Sequence, residues 1–205
     1  MIENHTVDRR IKRTRQFIKD ALIRLMSEKS YAAITIQDIT ECANINRSTF
    51  YYHYLDKEDL LQICMDEMLL KAVRETTEEE AIKNMKKTYD NYDPLTFYIR
   101  MFEHIGQNAN FYRVMLIEVP IFRRRLTELI YERYMESISL MQPDERQFVV
   151  SKQLLTTFVT GAYTAIILHW LENNLSDSVT VMAEQLSKMM MLGPHRASGL
   201  NCPSA

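Results

Sequence analysis

The stretch "TIQDITECANINRSTFYYHY", residues 35–54, contains two short helical segments separated by a break. Thr35 stands where a helix N-cap belongs, and Asp38 follows three residues later, close to the capping-box pattern. Asn44 supplies the break, because asparagine tolerates a left-handed backbone better than most other non-glycine residues. Asn46 can then cap a second short helix. Two short helices joined by a tight turn predict a helix-turn-helix.

The second of these helices combines large rings with polar and cationic groups. Residues four apart share a helix face, so Phe50 and Tyr54 can pack on the first helix while their neighbours point outward. The outward set is Arg47, Ser48, Thr49, Tyr51, Tyr52 and His53. Phosphate oxygens accept hydrogen bonds from Tyr, Ser, Thr and Arg, and base edges accept them from Arg and His. This set indicates DNA contact, although the rings could also cover an ordinary helix–helix junction.

Composition indicates an all-α fold. The chain has 205 residues, of which 46% are hydrophobic, and only four glycines and five prolines. So few glycines and prolines leave little room for a turn-rich β fold, whereas abundant Leu, Met, Glu and Lys favour helix. The net charge of −2 is unevenly distributed, because residues 9–19 hold six cations and no acid. Such a cluster can attract a phosphate backbone, or it can be a solvated helix face.

Several classes of protein and site are disfavoured by the sequence. The three cysteines are scattered without a CxxC pattern, so we expect neither a disulfide framework nor a metal site. No glycine-rich phosphate loop, HExxH or GxSxG is present, so we expect no catalytic residue, no cofactor and no enzyme. The N-terminus lacks a signal peptide, which predicts a cytoplasmic protein. The uncharged residues 153–171 approach a membrane span in length, but their polar content favours a buried helix and no membrane association.

Residues 9–62 resemble the DNA-binding domain of the TetR family of bacterial transcriptional regulators. The resemblance rests on Thr35, Ile39, Ala43 and Ile45, followed by "RSTFYYHYLDKEDLL" at 47–61. The family usually has Ala-Gly-Val in the turn, where this chain has Ala-Asn-Ile. Asn44 can adopt the same backbone at some cost. The resemblance therefore implies a three-helix domain at 1–58 that contains the helix-turn-helix.

The resemblance also implies roles for individual residues. Thr35, Tyr51 and Lys57 would bind phosphates. Base edges or flanking phosphates would be approached by Gln37, Arg47, Ser48, Thr49, Tyr52 and His53. The family pattern further implies a helical ligand-binding and dimerisation domain at 59–192, and we expect a disordered tail at 193–205. The partners would be a palindromic double-stranded operator, a second copy of the chain, and an effector, either a small molecule or a protein.

The predicted C-terminal domain offers two further sets of residues. Methionines and aromatics that could line an adaptable ligand pocket, or form plain core, are Phe97, Tyr98, Met101, Phe102, Phe111, Tyr112 and Met115. Residues suited to a four-helix dimer interface are Thr157, Gly161, Ala165, Met182, Leu186 and Met189. The last two predicted helices, at about 145–173 and 178–191, also resemble a TetR subgroup that includes the activator of dihydroxyacetone kinase operons.

The leading hypothesis is a homodimeric, sequence-specific DNA-binding regulator that acts as a repressor and is controlled by an effector bound to its C-terminal domain. One alternative has the same fold but responds to a protein partner and can act as an activator. Another is a helical interaction protein that does not bind DNA. Operator sequence, regulated genes and effector are not determined by the sequence.

Overall fold

The computed structural model describes residues 2–76, 94–142 and 144–199, and in these ranges the regular structure is entirely helical. The predicted all-α fold is therefore confirmed. The first four helices are α1 (Ile2–Glu28), α2 (Ile36–Cys42), α3 (Arg47–His53) and α4 (Lys57–Thr76). The others are α5 (Pro94–Gln107), α6 (Ala109–Glu118), α7 (Pro120–Met141), α8 (Lys152–Glu172) and α9 (Val179–Ala197).

The described residues fall into two compact units. The N-terminal unit contains the chain up to Leu69 together with Val114–Arg123, and the C-terminal unit contains Leu70–Arg113 and the chain from Arg124 onward. Helices α4, α6 and α7 each run across a boundary between units. The domain division at residue 58 remains a prediction, since the units are defined by contacts and not by separate folding.

The N-terminal unit is built on one apolar stripe from each of its first four helices. Ile18 of α1, Ile39 of α2, Phe50 of α3 and Leu60 of α4 are all completely buried. Helix α1 packs on α2, and α2 packs on α3. The spacing of three and four residues between apolar positions in α1 produces this arrangement, because it places them on one helix face. The helix-turn-helix is thus held against a hydrophobic core.

The predicted start of α8 differs from the structure. The helix expected from residue 145 begins at Lys152, because Ser151 caps it by accepting a hydrogen bond from the Leu154 N–H at 3.1 Å. Residues 145–147 form a separate 3₁₀ turn. The polar stretch 76–93, whose composition predicts a helix end and a connecting loop, lies outside the described residues apart from Thr76, which ends α4.

The predicted disordered tail also differs over its first residues. Helix α9 continues to Ala197 across a kink at Gly193, whose φ of 74° suits glycine. Pro194 then opens a further helical turn, because its fixed φ suits the first turn of a helix. Residues 200–205 of that tail lie outside the described residues.

Helix α8 is the apolar helix that raised the question of a membrane span. It is the one helix in the described ranges that is long and apolar enough to cross a bilayer. One side of it is buried within the C-terminal unit through Thr156, Val159, Thr160, Tyr163, Thr164, Ile167, Trp170 and Leu171. Because a core helix passes the same test of length and composition, this one helix does not indicate a membrane protein.

The single tryptophan, Trp170, lies at the centre of this packing. Its indole N–H donates to the Asp177 carbonyl at 2.9 Å, and its ring meets Phe102 edge-on with centroids 5.2 Å apart. A Cβ built on Gly106 would lie 3.2 Å from the indole Cη2 atom, which is a tight contact. The Trp170 ring can therefore lie this close to α5 only because residue 106 has no side chain.

We expect Gly106→Ala to displace the Trp170 ring and to lower the thermal stability, although alanine is the better helix former. Tryptophan emission would shift, and circular dichroism would show a lower Tm. In a Trp170→Phe background the same substitution should lower the Tm clearly less, because the clashing indole atoms are absent. Equal costs in the two backgrounds would contradict the close approach of Gly106 and Trp170.

Candidate DNA-binding surface

A capping box fixes the start of α2. The Thr35 hydroxyl oxygen accepts from the Asp38 N–H at 3.1 Å, and the Asp38 carboxylate accepts from the Thr35 N–H at 2.7 Å. Lys29 pairs with the same carboxylate at 2.9 Å. The hydrogen bond from Lys29, followed by those from Thr35, lowers the pKa of Asp38 to about 2. The predicted cap is thus present, and it leaves Thr35 exposed at the helix end.

The turn between α2 and α3 depends on Asn44. This residue has a φ of 52°, in the left-handed region that the sequence predicted for it. Its N–H donates to the Glu41 carbonyl at 3.1 Å, and the following Ile45 N–H donates to the Thr40 carbonyl at 3.0 Å. These bonds close the end of α2 and reverse the chain into α3.

Asn46 caps α3 through a single oxygen atom that accepts three hydrogen bonds. Its side-chain Oδ1 accepts from the Thr49 N–H, from the Thr49 hydroxyl and from the Ser48 hydroxyl, each at 2.7 Å. The sequence predicts this cap, but it does not predict the hydrogen bonds from the Ser48 and Thr49 hydroxyls. Ser48 and Thr49 can still accept a hydrogen bond, but their protons point to Asn46 and not to DNA.

The remaining side chains of α3, and that of Tyr54 at its C-cap, are divided between core and surface. Phe50 and Tyr54 are buried, whereas Tyr51 is 47% exposed and Tyr52 is 74% exposed. The Arg47 guanidinium lies 5.7 Å from the centroid of the Tyr51 ring. An exposed phenol and guanidinium, one turn apart, can donate to phosphate oxygens and base edges. The arrangement leaves the outward face of α3 available for DNA.

His53 lies on a flank of α3 and is only partly exposed. Burial, with a smaller contribution from the positive charge of Arg15, lowers the pKa of His53. Its imidazole is therefore neutral at physiological pH, with one donor nitrogen and one acceptor nitrogen.

Lys57 makes contacts that the sequence could not show. Its ammonium donates to the carbonyl oxygens of Ile34 at 2.9 Å and Tyr31 at 3.1 Å, and lies 4.4 Å from the centroid of the Tyr31 ring. Lys57 thereby ties the start of α4 to a 3₁₀ turn, Tyr31–Ala33, that precedes α2. Its predicted contact with a DNA phosphate would use the one remaining ammonium donor.

All nine predicted DNA-binding residues lie in the N-terminal unit. Thr35 caps α2, Gln37 lies on α2, six residues are on α3, and Lys57 begins α4. Gln37 is exposed and donates to Glu41 at 2.9 Å. None of the nine is buried. Their assignment to bases and phosphates remains a prediction.

The predicted ligand-pocket residues do not form one group. Met115 belongs to the N-terminal unit, whereas the other six belong to the C-terminal unit. All seven are buried except Phe97, which is partly exposed. The Tyr98 hydroxyl is hydrogen-bonded to that of Tyr163 at 2.9 Å. These rings are well packed, as expected of core, and their pocket role remains a prediction.

The Thr160 hydroxyl of the C-terminal unit is buried without a hydrogen-bond partner among the described residues. The Thr160 side-chain oxygen makes no hydrogen bond there, whereas Thr156 and Thr164, one turn to either side, donate to backbone carbonyls at 2.8 and 2.9 Å. An unpartnered buried hydroxyl costs free energy, so it is a place where a polar ligand group would be stabilising.

A buried histidine joins three helices of the C-terminal unit. His104 of α5 is 3% exposed, with Nδ1 at 2.6 Å from a Glu75 carboxylate oxygen of α4 and Nε2 at 2.7 Å from the Tyr112 hydroxyl of α6. Lys71 lies 3.8 Å from Glu75 and donates to Asn108 at 3.1 Å. Burial lowers the pKa of His104 despite the opposing effect of Glu75. The neutral ring thus donates to Glu75 and accepts from Tyr112.

The predicted dimer residues fall into two groups. Thr157, Gly161 and Ala165 lie exposed on α8, beside the exposed apolar side chains of Leu154 and Phe158. On α9, Met189 is exposed, whereas Met182 and Leu186 are buried, where α9 packs along α5. The structure thus leaves the small-residue face of α8 uncovered. Its role in dimerisation remains a prediction.

Two sequence profiles match the chain. Residues 18–63 match the profile described as bacterial regulatory proteins of the tetR family. Residues 92–192 match the profile described as a transcriptional regulator C-terminal region. Together they place the helix-turn-helix and most of the C-terminal helices within one family.

This chain belongs to the TetR family. Like the family and the relatives that it matches, it is a transcriptional regulator and not an enzyme.

Relatives and one solved structure show how far the similarity extends. The uncharacterised HTH-type transcriptional regulator YxbF of Bacillus subtilis is 53% identical over 57 residues, which are 27% of this chain and 15% of YxbF. IcaR of Staphylococcus epidermidis, a negative regulator of the biofilm operon icaADBC, is 44% identical over 43 residues, which are 21% of this chain and 23% of IcaR. The chain thus matches less than a quarter of the length of these relatives. The dihydroxyacetone kinase operon activator DhaS is similar in fold, with a TM-score of 0.60 and 16% identity over 92% of this chain and 98% of DhaS.

We expect acid to destabilise this TetR-family protein partly through His104. Because its pKa is lowered in the folded state, an unfolded chain binds a proton below about pH 6.5 that the folded chain does not. Stability should therefore fall as the pH drops below about 6.5, and His104→Gln should remove up to about 1.4 kcal/mol per pH unit of that slope. Urea unfolding between pH 8 and pH 5 measures it.

The matched control is His195→Gln, which changes an exposed histidine near the end of α9 and should leave the slope unchanged. If wild type and His104→Gln lose stability equally on acidification, the buried neutral imidazole is not the proton-linked group.

Proposed function

We propose that this chain is a homodimeric repressor that occupies a palindromic DNA operator and is released by an effector bound to its C-terminal unit. The observation that carries the proposal is the outward face of α3, where Arg47, Tyr51 and Tyr52 are exposed while Phe50 and Tyr54 hold the helix on the core. A short helix of this kind enters the major groove of DNA in helix-turn-helix proteins. We expect the protein to act in the cytoplasm, where its operator lies.

Dimerisation follows from the size of the reading surface. One seven-residue helix contacts too few base pairs to select a site in a genome. Two copies related by a twofold axis read two half-sites about one helical turn apart. The exposed apolar face of α8, with Leu154 and Phe158 beside Gly161, is suited to meet its own copy because small residues allow close approach of helices.

Of repression and activation, repression by occupying the operator is the simpler mode of regulation. A protein that covers an operator excludes other proteins from it, whereas activation requires a further contact with another protein. The name of IcaR describes a negative regulator, and that of DhaS an activator. Activation in concert with a protein partner is therefore the second candidate.

The effector would act by binding one conformation of the protein better than another. The unpartnered Thr160 hydroxyl and the Tyr98–Tyr163 hydroxyl pair favour a ligand with hydrogen-bonding groups inside the C-terminal unit. A filtered cell extract that still releases the protein from its operator would support a small molecule. Release only by the fraction retained on the filter would support a protein partner.

Arg47→Ala should weaken binding to the operator more than binding to scrambled DNA, by about 1–3 kcal/mol of discrimination for each half-site, because it removes a base-edge donor. Fluorescence anisotropy on an operator selected from random DNA provides the measurement. Arg24→Ala, which removes an exposed guanidinium on α1 that pairs with Glu28, is the control and should preserve the discrimination. If Arg47→Ala loses equal affinity for operator and scrambled DNA, Arg47 does not read the bases.

Phe158→Glu should convert the dimer to a monomer without unfolding it, because Phe158 is 57% exposed within the chain. Light scattering should give about twice the chain mass of 24.2 kDa for wild type and the single mass for the variant. Phe17→Glu, which charges an exposed phenylalanine of the N-terminal unit, should leave the mass doubled. A variant that remains dimeric would place the interface elsewhere.

A further inference from the structure

The cations of α1 divide into two groups with different surroundings. Arg15 and Lys19 are both paired with Glu67 of α4, the former at 3.5 Å, and the Arg15 guanidinium lies 5.8 Å from the centroid of the Tyr54 ring. These two cations belong to the packing of α1 on α4. Their charges are balanced there by Glu67. The other four cations of residues 9–19 take no part in these two ion pairs.

The second group lies one to two turns earlier on α1 and is exposed. It consists of Arg9, Arg10, Lys12 and Arg13. Arg13 covers the ring of Phe17 at 5.2 Å. Arg10 has no ion pair with any carboxylate whose side chain the structure describes, while its backbone carbonyl accepts from the Thr14 hydroxyl at 3.0 Å.

Arg10 forms part of a groove between α1 and the helix-turn-helix. One wall is Arg10, Ile11 and Thr14 of α1, and the other is the turn Asn44–Asn46 with Thr49 and His53 of α3. The lining contains a guanidinium and a neutral imidazole but no carboxylate. The field in the groove is therefore positive, which favours an anion.

The groove lies on a flank of α3, the helix that is proposed to contact the bases and is called the reading helix below. Successive residues of a helix are about 100° apart, so the exposed Arg47, Tyr51 and Tyr52 form the outward face while Phe50 points to the core. Thr49 and His53, four residues apart, share the flank between them. A helix inserted in the major groove, which is about 12 Å wide, has its flanks towards the sugar-phosphate backbones.

We propose that this groove binds a phosphodiester group of the DNA backbone, with Arg10 as its cation and His53 as a hydrogen-bond donor. This inference rests on the proposed DNA-binding function and adds a backbone contact from α1, outside the predicted contact residues of α2, α3 and α4. A contact of this type positions α3 in register with the bases but carries no sequence information itself.

The test is the salt dependence of operator binding by Arg10→Ala. Each lost phosphate contact lowers the slope of log K against log salt by about one, so a dimer should lose about two. Between 50 and 200 mM salt the variant should therefore lose about tenfold less affinity than wild type does. The ratio of operator to scrambled affinity should stay unchanged, and Arg10→Lys, which keeps the charge, should keep the slope.

Arg24→Ala is the matched control, because it removes the same charge from the same helix outside this groove. A slope for Arg10→Ala equal to that of wild type or of Arg24→Ala would overturn the proposal. A loss of discrimination between operator and scrambled DNA would overturn it too, since Arg10 would then read bases. Failure of the proposed function itself would look different, because the wild-type protein would select no operator.

Discussion

The position of the reading helix depends on three residues of the turn, Asn44, Ile45 and Asn46. Asn44 holds a left-handed backbone that reverses the chain, and Asn46 fixes the first turn of α3 by accepting three hydrogen bonds at one oxygen. A seven-residue helix gains little stability from its own backbone, since helix nucleation is costly. Its direction must therefore come from its cap and from the burial of Phe50.

This constraint explains the aromatic run that follows the turn. With the start of α3 fixed, the helical period sends Phe50 into the core and leaves Tyr51 and Tyr52 outside. Tyr54 is already past the end of the helix, yet it is buried against α1, where the guanidinium of Arg15 covers its ring. The run therefore supplies both the anchor of the helix and its outward surface.

Local signals in the sequence predicted this region well. The capping box of Thr35 and Asp38, the left-handed Asn44 and the cap of Asn46 each involve residues within three or four positions, so their spacing identifies them. Contacts between distant residues could not be predicted in this way. The Lys57 ammonium, on the carbonyls of Tyr31 and Ile34, is more than twenty residues away from both.

The C-terminal unit shows the same limit more strongly. Its apolar spacing indicates helices but cannot distinguish a pocket from packed core, because both use the same methionines and aromatics. The hydrogen bonds of His104 with Glu75 and Tyr112, and the unpartnered hydroxyl of Thr160, depend on how helices meet. The start of α8 was misplaced because the cap of Ser151 outweighs the apolar pattern before it.

The most direct test of the central claim is to select DNA from a random pool with the wild-type protein and sequence what it retains. We expect a palindrome whose half-sites are centred about one helical turn apart, each a few base pairs long. Retained DNA without a common motif, at low salt as well as at physiological salt, would contradict the assignment of α3 as a reading helix.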